Sequence, residues 1–170
     1  MDLRGAIRKV WVDHVNLLTL LTVESVPVEQ PAAQFVAARL RLNPIEFRQL
    51  LEPVLGVEVA LNLERLLAEH IELGAALLVP IRNRDQASAD AAVARFAENG
   101  ERLAAALAAV NPDKLDITTA RALIQQHNQF DVDGAVLRAQ GRFREQVELY
   151  DPVMRHTLLL ADVIYESLTP

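Results

Sequence analysis

Val59-Ala60-Leu61-Asn62-Leu63-Glu64-Arg65-Leu66-Leu67-Ala68-Glu69-His70-Ile71-Glu72-Leu73-Gly74-Ala75-Ala76-Leu77 decides the fold. Turned by about 100° per residue, Val59, Leu63, Leu66, Leu67, Leu73 and Leu77 gather on one face and most of the charged side chains on the other. Strand alternation would send Leu66 and Leu67 to opposite faces, and no stretch of the chain sustains that alternation. The segment reads as an amphipathic helix, with His70 at the middle of its apolar stripe.

The same period runs outward in both directions. It predicts helices over residues 3–24, 31–55, 58–79, 87–110, 117–139 and 142–168. Asp2 and Asp116 are placed to cap two of them, and Pro31 opens another where its missing N–H is harmless. Pro80 is expected to stop the third helix, and Pro44 to kink the second. The breaks between helices are short, which makes successive helices antiparallel neighbours. The expectation is an all-α, antiparallel six-helix bundle occupying 1–170 as a single domain.

Composition narrows the function. The 170 residues are 51% apolar and 24% charged, with 23 acidic and 17 basic side chains and a net charge of −6. Nothing here makes a positive field for a phosphate backbone, so nucleic acid is not an expected partner. There is no cysteine, hence no disulfide and no thiolate metal site or nucleophile. The longest apolar run, residues 103–110, is far short of the roughly 20 residues that cross a bilayer. No apolar signal core follows Met1-Asp2-Leu3-Arg4, so a cytoplasmic protein with no membrane association is expected. The alanine-rich face Ala104-Ala105-Ala108-Ala109 would suit a homodimer.

Each predicted stripe carries a polar residue near mid-helix. His14 lies among Val10, Leu17, Leu18 and Leu21. His127 lies beside Leu123 and Ile124, with Asp131 on the same face. Asn43 sits among Leu40, Phe47 and Leu50, and Asn99 beside Phe96, Leu103 and Leu107. In the last helix the stripe reads Val147, Tyr150, Met154, Leu158 and Tyr165, with Asp151 and Asp162 at its edge and His156 on the opposite, solvent side. Mid-helix positions of an antiparallel bundle meet at one level. The expected result is a buried polar layer of His14, His70, His127, Asn43, Asn99 and Asp151.

Short-range similarity points to an internal helical-hairpin repeat. The histidine helices share two large apolar residues four and three positions before the His. The asparagine helices share Arg39-x-x-x-Asn43 and Arg95-x-x-x-Asn99. Asn43 precedes His70 by 27 residues and Asn99 precedes His127 by 28. On that spacing the second and third helices form one copy and the fourth and fifth another, with the sixth and first closing the circle.

Buried amides and imidazoles without partners cost on the order of 1–3 kcal/mol each, so such a layer must be satisfied from within or by a ligand. Three neutral imidazoles at one level match a three-His site for zinc, copper, iron or nickel, with a coordination position left open. Asn43, Asn99 and Asp151 would then hold the imidazole N–H groups, and Asp131 would be a fourth ligand or a ligand-binding carboxylate. The competing reading is a hydrogen-bond network that fixes the register of a structural or protein-interaction module. A cavity for a small ligand, or an enzyme using the open metal position, is a third. His-x-x-x-His and Glu-x-x-His pairs are absent, as are phosphate loops and Ser/His/acid arrangements. Asp13 and Glu69, each next to a histidine, point about 100° away from it and read as solvated charges. Gly74, Gly100 and Gly134 inside helices suggest close approaches or room near the layer.

The chain resembles a family of small all-helical bacterial proteins of unassigned activity, some of which carry glycosyltransferase or acetylglutamate-kinase labels that nothing in this sequence supports. The resemblance is carried by Trp11-Val12-Asp13-His14-Val15, Arg39-Leu40-x-x-Asn43-Pro44-x-x-Phe47 and Leu66-Leu67-x-Glu69-His70-Ile71. It continues through Ala97-x-Asn99, Leu107, Asn111-Pro112, His127, Tyr150-Asp151 and Ala161-Asp162. It implies an all-α bundle in a bacterial cytoplasm and no mechanism. The chain departs from the family at Leu17-Leu18-Thr19, where an aromatic, a hydroxyl and an arginine are usual, and at Phe96 and Asp131, where tryptophan and threonine are.

Overall fold

The computed structural model describes residues 2–168, and every regular element among them is helical. Six helices are long: α1 (Leu3–Ser25), α3 (Asn43–Leu55), α4 (Val57–Asn83), α5 (Gln86–Val110), α6 (Ile117–Ala139) and α8 (Tyr150–Leu168). Two are short: α2 (Ala33–Leu40), ahead of α3, and α7 (Phe143–Glu148), ahead of α8. Asp2, Asp85 and Asp116 cap α1, α5 and α6, each accepting from backbone N–H groups of the first turn. Neighbours run antiparallel. From α4 to α5, Glu69 meets Arg102 while Gly74 meets Phe96, and from α5 to α6, Glu101 meets Arg121 while Phe96 meets Asn128. The first helix closes on the last through Asp162, which takes forked hydrogen bonds from both Arg4 and Arg8.

Three boundaries differ from expectation. The second predicted helix is broken at Arg41 and Leu42, so Pro44 falls in the first turn of α3, where it removes an N–H that had no intrahelical partner. It therefore kinks nothing. Pro80 does not stop α4, which continues to Asn83 and ends on Arg84 in the left-handed conformation. The sixth predicted helix is divided at Leu149 into α7 and α8. The buried face of α8 lies about 100° around the helix from the expected stripe. Thr157, Leu160, Ala161 and Ile164 point inward, while Val147 and Tyr150 are 72% and 55% exposed.

The core is split by height. One apolar cluster gathers Ile7, Trp11, Phe47, Leu63, Leu103, Leu160 and Ile164, and the other Leu18, Leu21, Leu40, Leu77, Phe96 and Ala135. His14, His70 and His127 lie between them. Along α4, Leu67 belongs to one cluster and Ile71 to the other, so the helix passes through the layer within a single turn. Of the alanine face considered for a dimer, Ala104 and Ala108 belong to the core, and only Ala105 and Ala109 reach the surface.

Candidate metal centre

The layer repeats one hydrogen-bonded unit. Asn43 donates from Nδ2 to the Val10 carbonyl at 2.9 Å, and its Oδ1 faces His14 Nδ1 at 3.3 Å. Asn99 donates to the Leu66 carbonyl at 3.2 Å, and its Oδ1 faces His70 Nδ1 at 3.0 Å. In both units the carbonyl comes from the residue one helical turn before the histidine. An amide oxygen only accepts, so Nδ1 of each imidazole carries the proton and Nε2 keeps its lone pair. The asparagines thereby select the tautomer.

The third unit is completed by a residue the sequence reading assigned to solvent. His156 Nε2 donates at 3.0 Å to the carbonyl of Leu123, one turn before His127. This bond spans 33 residues, as do Asn43 to Val10 and Asn99 to Leu66. His156 is half-buried, its ring 6.5 Å from that of His127 and nearly parallel to it. Asp151, expected in this place, is exposed in the first turn of α8. The wheel that put it inside was phased on Tyr150, Met154 and Leu158, of which Tyr150 and Leu158 are exposed.

The repeat is therefore real in period but shifted by one helix in pairing. His14, His70 and His127 recur at 56 and 57 residues, and so do Asn43, Asn99 and His156. The hydrogen bonds join the first helix to the second, the third to the fourth and the fifth to the sixth, not the second to the third. Phe47, Leu103 and Leu160 recur at the same intervals, as do Leu51, Leu107 and Ile164, and all six are buried. Three hairpins, α1 with α2–α3, α4 with α5, and α6 with α7–α8, thus each deliver one histidine to a common axis.

At that axis the three imidazole centroids are 5.4, 5.6 and 6.0 Å apart. One nitrogen from each ring lies within 4.8 Å of the others. Trp11 packs edge-on against His14 and His127 on one side, and Phe96 stacks on His70 at 4.4 Å on the other. All three side chains are at most 2% exposed, and the three Nε2 atoms have no hydrogen-bond partner. Burial pushes His14 down to about 4 and His70 to about 3, the latter helped by repulsion from His14; His127 is held well below the usual imidazole range by burial and then by its histidine neighbours. The three rings are neutral at pH 7.

Asp131, one turn after His127 on α6, brings a carboxyl oxygen to 3.5 Å from His127 Nε2. That oxygen is buried and unpaired, and burial raises the carboxyl to about 8. The structure thus brings His14, His70, His127, Asn43, Asn99 and Asp131 together, leaves Asp151 outside, and adds His156, which the sequence reading missed. Asn128 is also buried and was missed; it donates to the Phe96 carbonyl at 3.4 Å and crowds Gly100. Asp13 and Glu69 lie outside the layer as expected, in ion pairs with Lys9 and Arg102.

A tetrahedral ion bound at about 2.0–2.1 Å holds its nitrogens about 3.4 Å apart, so the rings would swing inward by about 1 Å or less to close on one. The donor set fits a borderline transition metal: three neutral imidazoles with fixed tautomers, a carboxyl group alongside, and no thiolate. None of the described helices is long and apolar enough to cross a membrane. Compared with family models, curated proteins and solved structures, the chain finds no match.

Proposed function

We propose that this is a small metal-binding bundle that holds one divalent transition metal, zinc, copper, iron or nickel, through Nε2 of His14, His70 and His127. The observation that carries the reading is the convergence of three buried, unpartnered imidazole nitrogens, two of them fixed as lone-pair donors by asparagine. A purely structural network accounts for the asparagine contacts but leaves all three Nε2 atoms unsatisfied, at about 1–3 kcal/mol each. A cation satisfies all three at once.

Asn43 and Asn99 orient the ligands by accepting from Nδ1. Asp131 supplies the negative charge that a dication in an otherwise neutral, buried site requires. Its carboxyl oxygen lies 3.5 Å from His127 Nε2, next to the group that would bind the ion. The family resemblance in the sequence includes these same histidine and asparagine positions.

Elemental analysis of protein purified without a His tag tests the reading, beside a His14→Ala/His70→Ala/His127→Ala variant checked for helicity by circular dichroism. Stoichiometric metal in the parent and none in the folded variant is expected. Cobalt added to the metal-free parent should show the visible absorption of a tetrahedral site. A parent that retains no metal after incubation with zinc, copper, iron or nickel overturns it.

A further inference from the structure

The third hairpin departs from the first two at two inward positions one turn apart. Where the first two bury Leu21 and Leu77, the third has Gly134, and a Cβ built there meets nothing within 4 Å. Where they have Leu18 and Gly74, the third has Asp131. The missing leucine leaves a cavity of about 290 Å³ between α1, α6, α7 and α8, lined mainly by apolar side chains such as Val15, Leu18, Phe130 and Val153. Asp131 lies in its wall, with one carboxyl oxygen buried and without a hydrogen-bond partner. Val147 and Tyr150, largely exposed on and beside the short α7, form its outer lip.

We infer that this cavity is a binding site for a small molecule with an apolar body and a single hydroxyl head, the head donating to Asp131. Its volume sits at the lower end of ligand sites and suits one ring or a short chain rather than a nucleotide or sugar. Asp131 is the one carboxyl group in this otherwise largely apolar wall, so a hydroxyl is the head for which the cavity offers an acceptor. The hydroxyl would lie beside the His127 edge of the layer, and the inference does not rest on whether the histidines hold a metal.

The test uses 4-methylphenol, 1-hexanol and toluene as probes, titrated into the chelator-treated protein by calorimetry and by amide shifts in nitrogen-15 spectra. Both alcohols should saturate a single site and shift the amides of Phe130, Gly134 and Val147, with toluene binding about tenfold more weakly than 4-methylphenol. Gly134→Leu, which refills the cavity, should weaken both alcohols about tenfold or more without lowering Tm. Asp131→Ala should erase the preference for 4-methylphenol over toluene. Absence of saturable binding by both alcohols overturns the site, and undiminished binding to folded Gly134→Leu or Gly134→Ala places it elsewhere and overturns it too. Equal affinity for 4-methylphenol and toluene overturns the role of Asp131.

Discussion

The first two hairpins and the third are built on one plan and finished differently. In α1–α3 and α4–α5 the histidine is closed off by a fully buried asparagine, and the next turns of the histidine helix are filled by Leu18 and Leu21 or by Gly74 against Phe96 and Leu77. In α6–α8 the asparagine is replaced by half-buried His156, and the filling residues by Asp131 and Gly134. Every departure falls on one side of the pseudo-threefold layer. The two sealed hairpins supply rigidity and fixed tautomers, and the third keeps the titratable groups and the open space. The layer is thus closed by side chains on two hairpins and left beside open space on the third.

The largest expected effect sets the sealed layer against Asp131. In metal-free protein, His14 and His70 titrate at about 4 and 3 when folded, against 6.5 when unfolded. Between those values the unfolded chain binds more protons, so stability is present above about pH 6.5 and is lost as pH falls through the window. Several kcal/mol should disappear by about pH 4. Asp131 runs the other way: raised from 3.8 to about 8, it makes the folded state the better proton binder, so its contribution is lost as pH rises toward 8. Above pH 6.5 it acts alone and should cost about 2 kcal/mol by pH 8. Urea denaturation across pH should give a maximum near pH 6 to 7, and Asp131→Asn should flatten the alkaline limb and steepen the acid one, since Asp131 opposes the histidines at every pH between 3.8 and 6.5. An unchanged alkaline limb in that variant would show that the third hairpin is no more strained than the others.

Next in size is the difference between the polar partners. Asn99→Leu strips the acceptor from His70 Nδ1 at a fully buried position and should cost about 3 kcal/mol. His156→Leu removes one bond to the Leu123 carbonyl at a half-buried position and should cost about 1 kcal/mol. Equal losses would mean that the third unit is as tightly closed as the second.

The fold was legible because a leucine-rich helical period survives locally, and so was most of the layer, because mid-helix polar residues stand out against it. What failed was phase. Phasing the last helix on Tyr150, Met154 and Leu158, rather than on Leu160, Ala161 and Ile164, turned the inner face of α8 outward, which hid His156 and promoted Asp151. The near-equal spacings from Asn43 to His70 and from Asn99 to His127 drew the hairpins together one helix out of step. The constant 29-residue interval from His14 to Asn43 and from His70 to Asn99 was present in the sequence, and the same interval leads from His127 to His156. Gly134 was legible only as an irregularity, because an absent side chain identifies a cavity only once the equivalent leucines are known.

The smallest effect separates two glycines that look alike in sequence. Gly100 lies in a sealed region: a Cβ there would sit 2.6 Å from Asn128 Nδ2 and 3.2 Å from Ile124 Cγ2. Asn128 is buried and donates to the Phe96 carbonyl, so it cannot yield without loosening that bond. Gly100→Ala should therefore destabilise by about 1 kcal/mol despite alanine's better helix propensity. Gly134 lies in the open region, in the interior of α6 with nothing near its Cβ direction. There the same substitution reduces the freedom of the unfolded chain and meets no resistance, so Gly134→Ala should stabilise by about 0.5–1 kcal/mol. Thermal denaturation of the two variants side by side should move Tm in opposite directions. Movement in the same direction would remove the packing difference on which the contrast between the hairpins stands, since both residues occupy helix interiors and differ only in what surrounds them.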